Sequence, residues 1–428
     1  MLPLGTRARL LAYQALERLS DLRGSQVRPM VAIDAGAPQP AWWAFVSTIG
    51  ELNATAPLLE AVRARLPQLR MVLVTDHAHY VDSYRRRFPD AEVIVSLGHS
   101  QDAKALAAAR PPRLTLVAEI PLLPGDAPCR CSSALLLEAK RRGSRLLVAN
   151  GWLYGYAPAS RMDHLERRLL GQSLLQAVDV FCVQTGAIRE RLVGEGIAPS
   201  RVHVVGNLKL DVLRGPLPAS GRALPPGLEP LLAGAGPVIV AGSLTQETEQ
   251  DLLLDAFIDL RRRRGGGLLV LAPRHPEVQA NLDALDAAMQ RRGLRALRRS
   301  EPVPPATAFD VLVLDTMGEL RDFYAAADVA HVGVDHNVLE PLGIGKTTTV
   351  SGGWNPTYPS YPIYRALSDA GLLCEAQTPA ALADAWADAL DGRLACTLEP
   401  ARRVLTSGPS SLQSHLDILA RMAALDPA

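Results

Sequence analysis

Short apolar runs recur along the chain and alternate with longer segments in which apolar side chains repeat every three or four positions. The short runs are typical of buried strands, and the longer segments are typical of amphipathic helices. The stretch from 311 to 346 shows the pattern clearly, because a helical segment separates the apolar runs Val311–Leu314 and Val329–Gly333. Such alternation predicts mostly parallel sheets that helices cover on both faces.

The alternation continues to about residue 205, stops in a segment rich in proline, glycine and alanine, and restarts at Val238. With 428 residues, the chain is too long for one ordinary hydrophobic core. We therefore predict two doubly wound, Rossmann-like α/β domains over residues 1–212 and 238–428, joined by a linker over 213–237. The last helix is expected either to stay in the second domain or to pack back on the first. Such domains bind ligands beyond the carboxyl ends of their strands, so we expect an interdomain cleft to hold the site.

Local signals predict where two of the helices begin. The first helix after the opening strand is expected near Asn53, with Asn53 or Thr55 as its cap and Pro57 in its first turn. In the second domain, a strand is expected to end at Ala241, and the next helix is expected over Glu247–Arg263 or from a start near Thr245.

Composition narrows the class of protein. A hydrophobic fraction of 48% and a charged fraction of 21% are typical of a soluble globular chain. The net charge of +1 argues against nucleic acid as the main partner, because domains that bind phosphate backbones are usually strongly basic. The five cysteines are odd in number and lack CxxC spacing, which predicts a reducing, cytoplasmic environment without disulfides or a zinc site.

The N-terminal segment of about 24 residues has neither the apolar core of a signal peptide nor a membrane-spanning run. Its leucines and arginines give it an amphipathic pattern, which fits either a membrane surface or packing on the protein itself. We expect packing on the protein itself.

Glu51 follows the first strand behind a glycine turn, where its carboxylate would point into the ligand site. A carboxylate there suits a general base. It equally suits a structural role at a helix N-terminus, where the helix dipole favours negative charge. Ser243 presents a similar choice, because its hydroxyl and the neighbouring amides suit a phosphate but could also simply cap the next helix.

The tetrad Pro273-Arg274-His275-Pro276 comes directly after an apolar strand. Its two prolines restrict the backbone around Arg274 and His275. Arginine is the natural bidentate partner of phosphate, so we favour anion binding over a surface pair.

Two further turns carry candidate binding groups. Gly318 and Glu319 supply backbone amides at another helix start, while Asn337 and Glu340 could bind the hydroxyls of a sugar or ribose. For Glu340, a helix-start carboxylate beside Pro341 is the alternative.

Several well-known site patterns are missing. The sequence contains neither GxGxxG after the first strand nor GxxxxGK[ST], and GIGKT at Gly343–Thr347 lacks the first glycine of a P-loop. It also lacks a cluster of metal ligands and a GxSxG elbow. We therefore expect no metal and no cofactor.

Five motifs carry a family resemblance: VSTIGELNATAPLLEAV (Val46–Val62), VHVVGNLKLD (Val202–Asp211), GSLTQETEQDLLLDAF (Gly242–Phe257), LVLAPRHPE (Leu269–Glu277), and DTMGELRDFYAAADVAHVG with HNVLEPLGIGK (Asp315–Lys346). In this order, they resemble the 3-deoxy-D-manno-octulosonic-acid (Kdo) transferases of lipopolysaccharide synthesis. The combination of PRHPE, DTMGEL and HNxLEP is highly specific.

The resemblance implies a GT-B glycosyltransferase that is inverting, needs no metal and uses a CMP-activated sugar. It implies that Glu51 is the catalytic base that deprotonates the acceptor hydroxyl. It places in the donor site Ser243, Arg274, His275, Met317, Gly318, Glu319, Asn337 and Glu340. It also places Lys209 and His336 near the cleft.

The expected reaction moves a Kdo-type ulosonic acid to the lipid A precursor, at the cytoplasmic face of the inner membrane. The chain departs from the family pattern at Leu244-Thr245, where a histidine is usual, and at Val334-Asp335, where two glycines are usual. The alternatives are a paralogous transferase with another acceptor or sugar, a nucleotide-binding GT-B protein without catalysis, and a sugar-nucleotide epimerase of the same architecture.

Overall fold

A computed structural model of the chain describes residues 3–21, 37–96, 100–119, 133–153, 161–215, 232, 234–302, 309–394 and 398–424. The chain forms two compact units. The first unit combines Met1–Asp211 with Pro409–Ala428, and the second unit is Val212–Gly408. The predicted linker, residues 213–237, lies largely outside the described residues.

The first unit is built on one sheet of seven parallel strands. Its strands are β1 (Ala41–Phe45), β2 (Arg70–Thr75), β3 (Glu92–Val95), β4 (Pro112–Ala118), β5 (Arg145–Gly151), β6 (Val180–Val183) and β7 (Val202–Val204). They lie in the order β3-β2-β1-β4-β5-β6-β7. The helices are α1 (Leu4–Asp21), α2 (Ile49–Arg65), α3 (Val81–Arg87), α4 (Ser100–Ala109), α5 (Ser133–Arg141), α6 (Arg161–Ala177) and α7 (Gly186–Gly194). Short 3-10 helices cover Ala78–Tyr80, Pro199–Arg201 and Leu208–Arg214.

Strand β1, with the sequence AWWAF, is fully buried and shows how helices cover both faces of this sheet. Trp43 packs in one cluster of apolar side chains, and the neighbouring Trp42 packs in another. Successive side chains of a strand point to opposite faces, so these clusters are the two core layers of the unit. The end of the chain also joins this core, because Leu416 and Ile418 pack in the same cluster as Trp42.

The second unit repeats the architecture with another sheet of seven parallel strands. Its strands are β8 (Val238–Leu244), β9 (Leu268–Pro273), β10 (Ala296–Arg298), β11 (Val311–Val313), β12 (Val329–Val332), β13 (Thr348–Val350) and β14 (Cys374–Glu375). They lie in the order β10-β11-β9-β8-β12-β13-β14. The helices are α8 (Glu247–Arg264), α9 (Gln279–Arg291), α10 (Leu320–Ala326), α11 (Leu339–Leu342), α12 (Tyr361–Asp369), α13 (Pro379–Leu390) and α14 (Leu398–Leu405). The last helix of the chain, α15 (Ser411–Ala424), belongs to the first unit.

Two glycines allow chain segments to approach closely at the ends of β8 and β12. A Cβ atom on Gly333 would lie 2.4 Å from the carbonyl oxygen of Ser243, and one on Gly242 would lie 2.2 Å from the hydroxyl of Tyr324. Close-packed interiors leave no room for such overlap, so both positions require glycine. These contacts fix the backbone on both sides of Ser243.

The predicted doubly wound α/β architecture is confirmed, with parallel order throughout both sheets. The start of α2 was predicted wrongly, because the helix begins at Ile49 with Thr48 as its cap. Asn53 and Thr55 therefore lie inside the helix, and Pro57 lies beyond its first turn. Thr48 is the cap because its hydroxyl accepts a hydrogen bond from the free Glu51 N–H in the first turn of the helix.

The predicted end of β8 at Ala241 is also wrong, as is a helix start near Thr245, whereas the predicted helix over Glu247–Arg263 is confirmed. The strand continues to Leu244 through an irregularity in its pairing, and α8 begins at Glu247 with Gln246 as its cap. Ser243 therefore does not cap a helix. Seven short α-helices and strands of the described residues were not predicted: α4, α11, α12, α14, β10, β13 and β14. Helix α12 begins at Tyr361, within a proline-containing stretch that was expected to be irregular.

Helix α1 packs on its own unit through Leu10 and Tyr13, which belong to the cluster around Trp43. Leu4 and Leu11 on the same helix are 82% and 65% exposed. Among the helices of the described ranges, none is both long enough and apolar enough to cross a membrane.

Candidate functional site

Glu51 lies in the first turn of α2, directly beyond the carboxyl end of β1. The Thr48 hydroxyl accepts a hydrogen bond from the Glu51 N–H at 3.2 Å. In return, Oε2 of Glu51 accepts a hydrogen bond from the Ser47 N–H at 2.7 Å. This reciprocal arrangement is a form of capping box, and it holds the carboxylate at the edge of the sheet.

Glu119 and Lys209 form an ion pair in the same unit. Glu119 directly follows β4 and is 1% exposed, and its carboxylate lies 3.2 Å from Nζ of Lys209. Both charged groups lie near enough to Glu51 to act on its pKa, with opposite sign. The structure thus brings Lys209 together with Glu51, as predicted residues of one site. Glu119 belongs to the same group of residues but was not predicted from the sequence.

The environment of Glu51 favours its neutral form. Burial raises the pKa of Glu51 to about 8, and the negative charge of Glu119 adds to this effect. The hydrogen bond from the Ser47 N–H and the positive charge of Lys209 act in the opposite direction. A carboxylate with a pKa near neutrality can accept a proton far more effectively than an ordinary glutamate can.

Asn150 organises the interior behind these groups. It lies at the end of β5, is fully buried, and donates a side-chain hydrogen bond to Glu119. Its Oδ1 accepts the N–H of Leu208 at 2.8 Å, and its own N–H donates to Nε2 of His415 at 3.0 Å. The side chain of Asn150 therefore links Glu119 to the segment that carries Lys209.

In the second unit, Arg274 follows β9, and its N–H donates to the carbonyl of Leu244 at 2.7 Å. Its side chain is exposed, and within the described ranges its guanidinium has no ion-pair partner. His275 adopts a φ of 57° and is paired with Glu277 at 3.0 Å. An exposed, unpaired guanidinium at the carboxyl end of a strand is able to bind an anion.

His336 lies close to Arg274. Burial lowers the pKa of His336 to about 4, and the positive charge of Arg274 contributes to this effect. Its Nδ1 lies 2.7 Å from the carbonyl oxygen of Val334, which identifies Nδ1 as the protonated nitrogen. His336 is therefore neutral at physiological pH, and its Nε2 is left as an acceptor.

The turn before α10 contains Met317, Gly318 and Glu319. Met317 is 57% exposed, and Gly318 has a φ of 91°, which favours glycine. The carboxylate of Glu319 accepts hydrogen bonds from the Thr316 hydroxyl and from Arg299, the latter at 3.0 Å. Its side chain is therefore committed to holding the turn, and the exposed groups of this turn are its backbone and Met317.

Asn337 and Glu340 lie around the start of α11. Oδ1 of Asn337 accepts the N–H of Leu339 at 3.2 Å, while the residue remains exposed. Glu340 is half-buried, and burial raises its pKa while the charge of Arg321 lowers it. Ser243 is half-buried, with a φ of 63°.

Glu249 is a second residue that the sequence interpretation missed. It is 3% exposed and accepts hydrogen bonds from the Val334 N–H at 3.2 Å and from the Ser351 hydroxyl. Its carboxylate also lies 3.6 Å from Nε2 of His331. Glu249 therefore fixes the backbone that presents His336. Lys346 of the GIGKT segment is also buried and donates to the Ala327 carbonyl at 2.9 Å, which is a structural contact.

Five non-glycine residues in the described part of the chain have a positive φ: Glu119, Asn150, Ser243, His275 and Asp335. Each lies at or just beyond the carboxyl end of a strand. Such backbone strain costs roughly 1–3 kcal/mol per residue and clusters at functional sites. Polar residues after strands are visible in a sequence, so the same rule that identified Glu51 could have identified Glu119 and Asn150.

Within the described residues, no group of three or more His, Cys, Asp or Glu side chains is arranged to hold a metal ion.

Comparison with known proteins shows which family the chain resembles. Residues 17–212 match the family described as 3-deoxy-D-manno-octulosonic-acid transferase (kdotransferase). The chain is 29% identical to the 3-deoxy-D-manno-octulosonic acid transferase of Bordetella pertussis, covering 86% of this chain and 83% of that protein. It is 24% identical to the transferase of the same name from Haemophilus influenzae, covering 90% of this chain and 88% of that protein.

A solved structure shares the fold. The UDP-GlcNAc 2-epimerase from Methanocaldococcus jannaschii matches with a TM-score of 0.58 at 11% identity, covering 89% of this chain and 99% of that one. At that identity the likeness concerns the fold alone. The family match over residues 17–212 and these relatives show that this chain is similar to 3-deoxy-D-manno-octulosonic-acid transferases, which are glycosyltransferases.

Proposed function

We propose that this protein transfers a Kdo-type ulosonic acid from a CMP-activated donor to an acceptor hydroxyl of the lipid A precursor in lipopolysaccharide synthesis. The transfer is inverting and needs no metal ion. The observation that carries the proposal is Glu51, a carboxylate at the carboxyl edge of the first sheet whose pKa is raised to about 8. Similarity to the transferase family supports the choice of donor and acceptor.

The proposed reaction is a single displacement. The acceptor oxygen forms a bond to the anomeric carbon of the ulosonic acid, while the bond from that carbon to the phosphate oxygen breaks and CMP leaves. The acceptor proton passes to Glu51, and the Glu119–Lys209 pair sets the charge around it.

The second unit supplies the donor site in this proposal. Arg274 binds the phosphate of CMP, and the backbone amides at Gly318 and Glu319 add hydrogen bonds to it. Neutral His336 offers Nε2 as an acceptor, and Asn337 and Glu340 bind hydroxyls of the donor. Ser243 completes this set beside Arg274.

A different acceptor or sugar is the second candidate, and one observation favours it. The chain has Val334-Asp335 where the resemblance implies two glycines, and the Asp335 side chain accepts the Asn355 N–H at 2.6 Å. A changed loop beside the donor residues could change the sugar that fits.

Transfer assays with CMP-Kdo and a lipid A precursor test the proposal. Glu51→Gln is expected to lower kcat by at least about a hundredfold, because general-base catalysis contributes on the order of 10²–10⁴-fold. Glu60→Gln serves as a control, because Glu60 lies on the same helix and forms an exposed pair with Arg87. A rate for Glu51→Gln within about threefold of the parent, roughly 0.7 kcal/mol in barrier, would refute the assignment.

A thermal-shift panel with CMP, UDP and GDP sugars tests the donor separately. Stabilisation by CMP species alone is expected, since a ligand at 100 times its Kd adds about 2.7 kcal/mol to the free energy of unfolding. Stabilisation by UDP-sugars, with turnover in the absence of any acceptor, would indicate an epimerase instead.

A further inference from the structure

A closed ring of hydrogen bonds surrounds Asn150 in the first unit. The ring contains the ends of β4 and β5, the 3-10 helix Leu208–Arg214 and helix α15. Asn150 contacts three of these segments: its side chain donates to Glu119, accepts from the Leu208 N–H at 2.8 Å, and its backbone N–H donates to His415 at 3.0 Å. The Asn150 carbonyl is also occupied, because Nε2 of Gln184 donates to it at 3.0 Å.

Asp211 closes the ring on the other side. Its carboxylate accepts the N–H groups of Ser411 at 3.3 Å and Leu412 at 2.5 Å, at the first turn of α15. Asp211 and Lys209 belong to the same 3-10 helix. The segment that carries Lys209 is therefore attached to α15 directly through Asp211, and again through Asn150 and His415.

The protonation of His415 follows from its two contacts. Nδ1 lies 2.7 Å from the carbonyl oxygen of Ser411, so Nδ1 carries the proton. Nε2 faces the Asn150 N–H, so it must be the unprotonated acceptor. Both nitrogens are engaged and His415 is 0% exposed, so this side chain has no free atom for a substrate.

The backbone of Asn150 needs this support. Its φ of 52° lies in the left-handed region, which costs free energy for a residue other than glycine. Without an acceptor at His415, the buried N–H of Asn150 would lose its hydrogen-bond partner, which destabilises this conformation. Relaxation of this strained residue would move the amide that holds Glu119.

We propose that His415 is a positioning residue for sugar transfer: through Asn150 it fixes Glu119 and Lys209 around the base Glu51. Helix α15 thus positions residues of the acceptor-side site, in addition to packing on the sheet. This inference rests on the proposed function, because it assigns an effect on the rate of that reaction.

Two substitutions at one position test the inference. His415→Leu removes the acceptor, and His415→Gln keeps an oxygen where Nε2 lies. We expect His415→Leu to lower kcat by about tenfold or more while the KM for the CMP-sugar stays within about twofold, since the donor residues belong to the second unit. His415→Gln is expected to recover most of the lost rate.

Leu416→Ala is the matched control for folding. Leu416 is the next residue on α15 and packs in the core cluster around Trp42, and its apolar side chain supplies no hydrogen bond to the ring. Melting temperatures are measured for all three variants. If Leu416→Ala with an equal loss of melting temperature lowers kcat as much as His415→Leu does, or if His415→Gln recovers nothing, the role is merely structural and the inference is overturned.

Amide exchange separates this inference from the proposed function. If the parent protein transfers no sugar, the proposed function fails, and exchange at Asn150 and Leu208 still tests the ring. We expect both amides to exchange about tenfold faster in His415→Leu than in Leu416→Ala. Equal exchange in the two variants would show that His415 does not hold Asn150.

Discussion

Nζ of Lys209 lies 3.2 Å from the carboxylate of Glu119, and these two opposite charges both act on the pKa of a third residue, Glu51. Glu119 raises the pKa of Glu51, and Lys209 lowers it. Burial is the largest cause of the raised pKa of about 8, and the two charges add to it and oppose it, respectively.

The pH dependence of the parent enzyme should report Glu51 directly. The base must be ionised, so kcat/KM is expected to rise with pH through about 8. Glu119→Gln removes a negative charge, which stabilises the Glu51 carboxylate. The rising limb of the pH profile of kcat/KM therefore shifts to lower pH. Glu138→Gln is the matched control, because Glu138 is also 1% exposed but pairs with Arg141 instead. A limb that stays in place in Glu119→Gln would contradict the assignment.

Lys209→Met should have the opposite effect. Loss of the positive charge disfavours the Glu51 carboxylate, so the limb moves to higher pH and the rate at pH 7 falls by about tenfold. Lys140→Met provides the comparison, since both lysines are 18% exposed and both pair with a carboxylate. Stopped assays across pH 6–10 distinguish a shifted limb from a uniform loss of rate, and only the shift supports the interpretation.

Arg274→Ala should weaken donor binding. A charge-assisted hydrogen bond contributes about 1.5–3 kcal/mol, so the Kd for CMP is expected to rise by about 10- to 100-fold. Arg274→Lys should recover only part of this, because an ammonium cannot bind phosphate in a bidentate manner. Calorimetric titration with CMP measures both, and Arg262→Ala, an exposed arginine of the same unit, serves as the control. Unchanged affinity in Arg274→Ala would remove Arg274 from the donor site.

Gly333→Ala should destabilise the second unit and disturb Ser243. Its new Cβ would lie 2.4 Å from the Ser243 carbonyl oxygen, and the surrounding backbone would have to move. Overpacking of this kind typically costs about 1–3 kcal/mol. Gly266→Ala is the control, because a Cβ there meets no atom within 4 Å. Denaturant unfolding measures both variants, and equal stabilities would show that the close approach is not rigid.

The sequence predicted the parts of this protein that depend on repeated local signals. Alternating strands and helices predicted both parallel sheets, and a polar residue after a buried strand identified Glu51. Very short strands such as β10 and β14, with three and two residues, carry too few positions to show a period of two. Helix α4 was missed because its alanine-rich sequence offers little contrast between apolar and polar faces.

The contact between Asn150 and His415 could not be predicted in this way. The two residues are separated by 265 positions, and no local pattern connects a strand end with the last helix of the chain. The same holds for Glu249, whose helical position indicates only a solvated first-turn carboxylate, whereas the fold buries it against the Val334 N–H. Site roles for Arg274, His275 and their neighbours remain predictions.

The left-handed conformations of Ser243 and His275 have a consequence for engineering. Glycine adopts these angles without strain, whereas other residues lose about 1 kcal/mol or more there. A screen that selects only for heat resistance should therefore enrich the substitutions Ser243→Gly and His275→Gly. A serine hydroxyl and an imidazole at these two positions would be retained only when the screen also selects for activity.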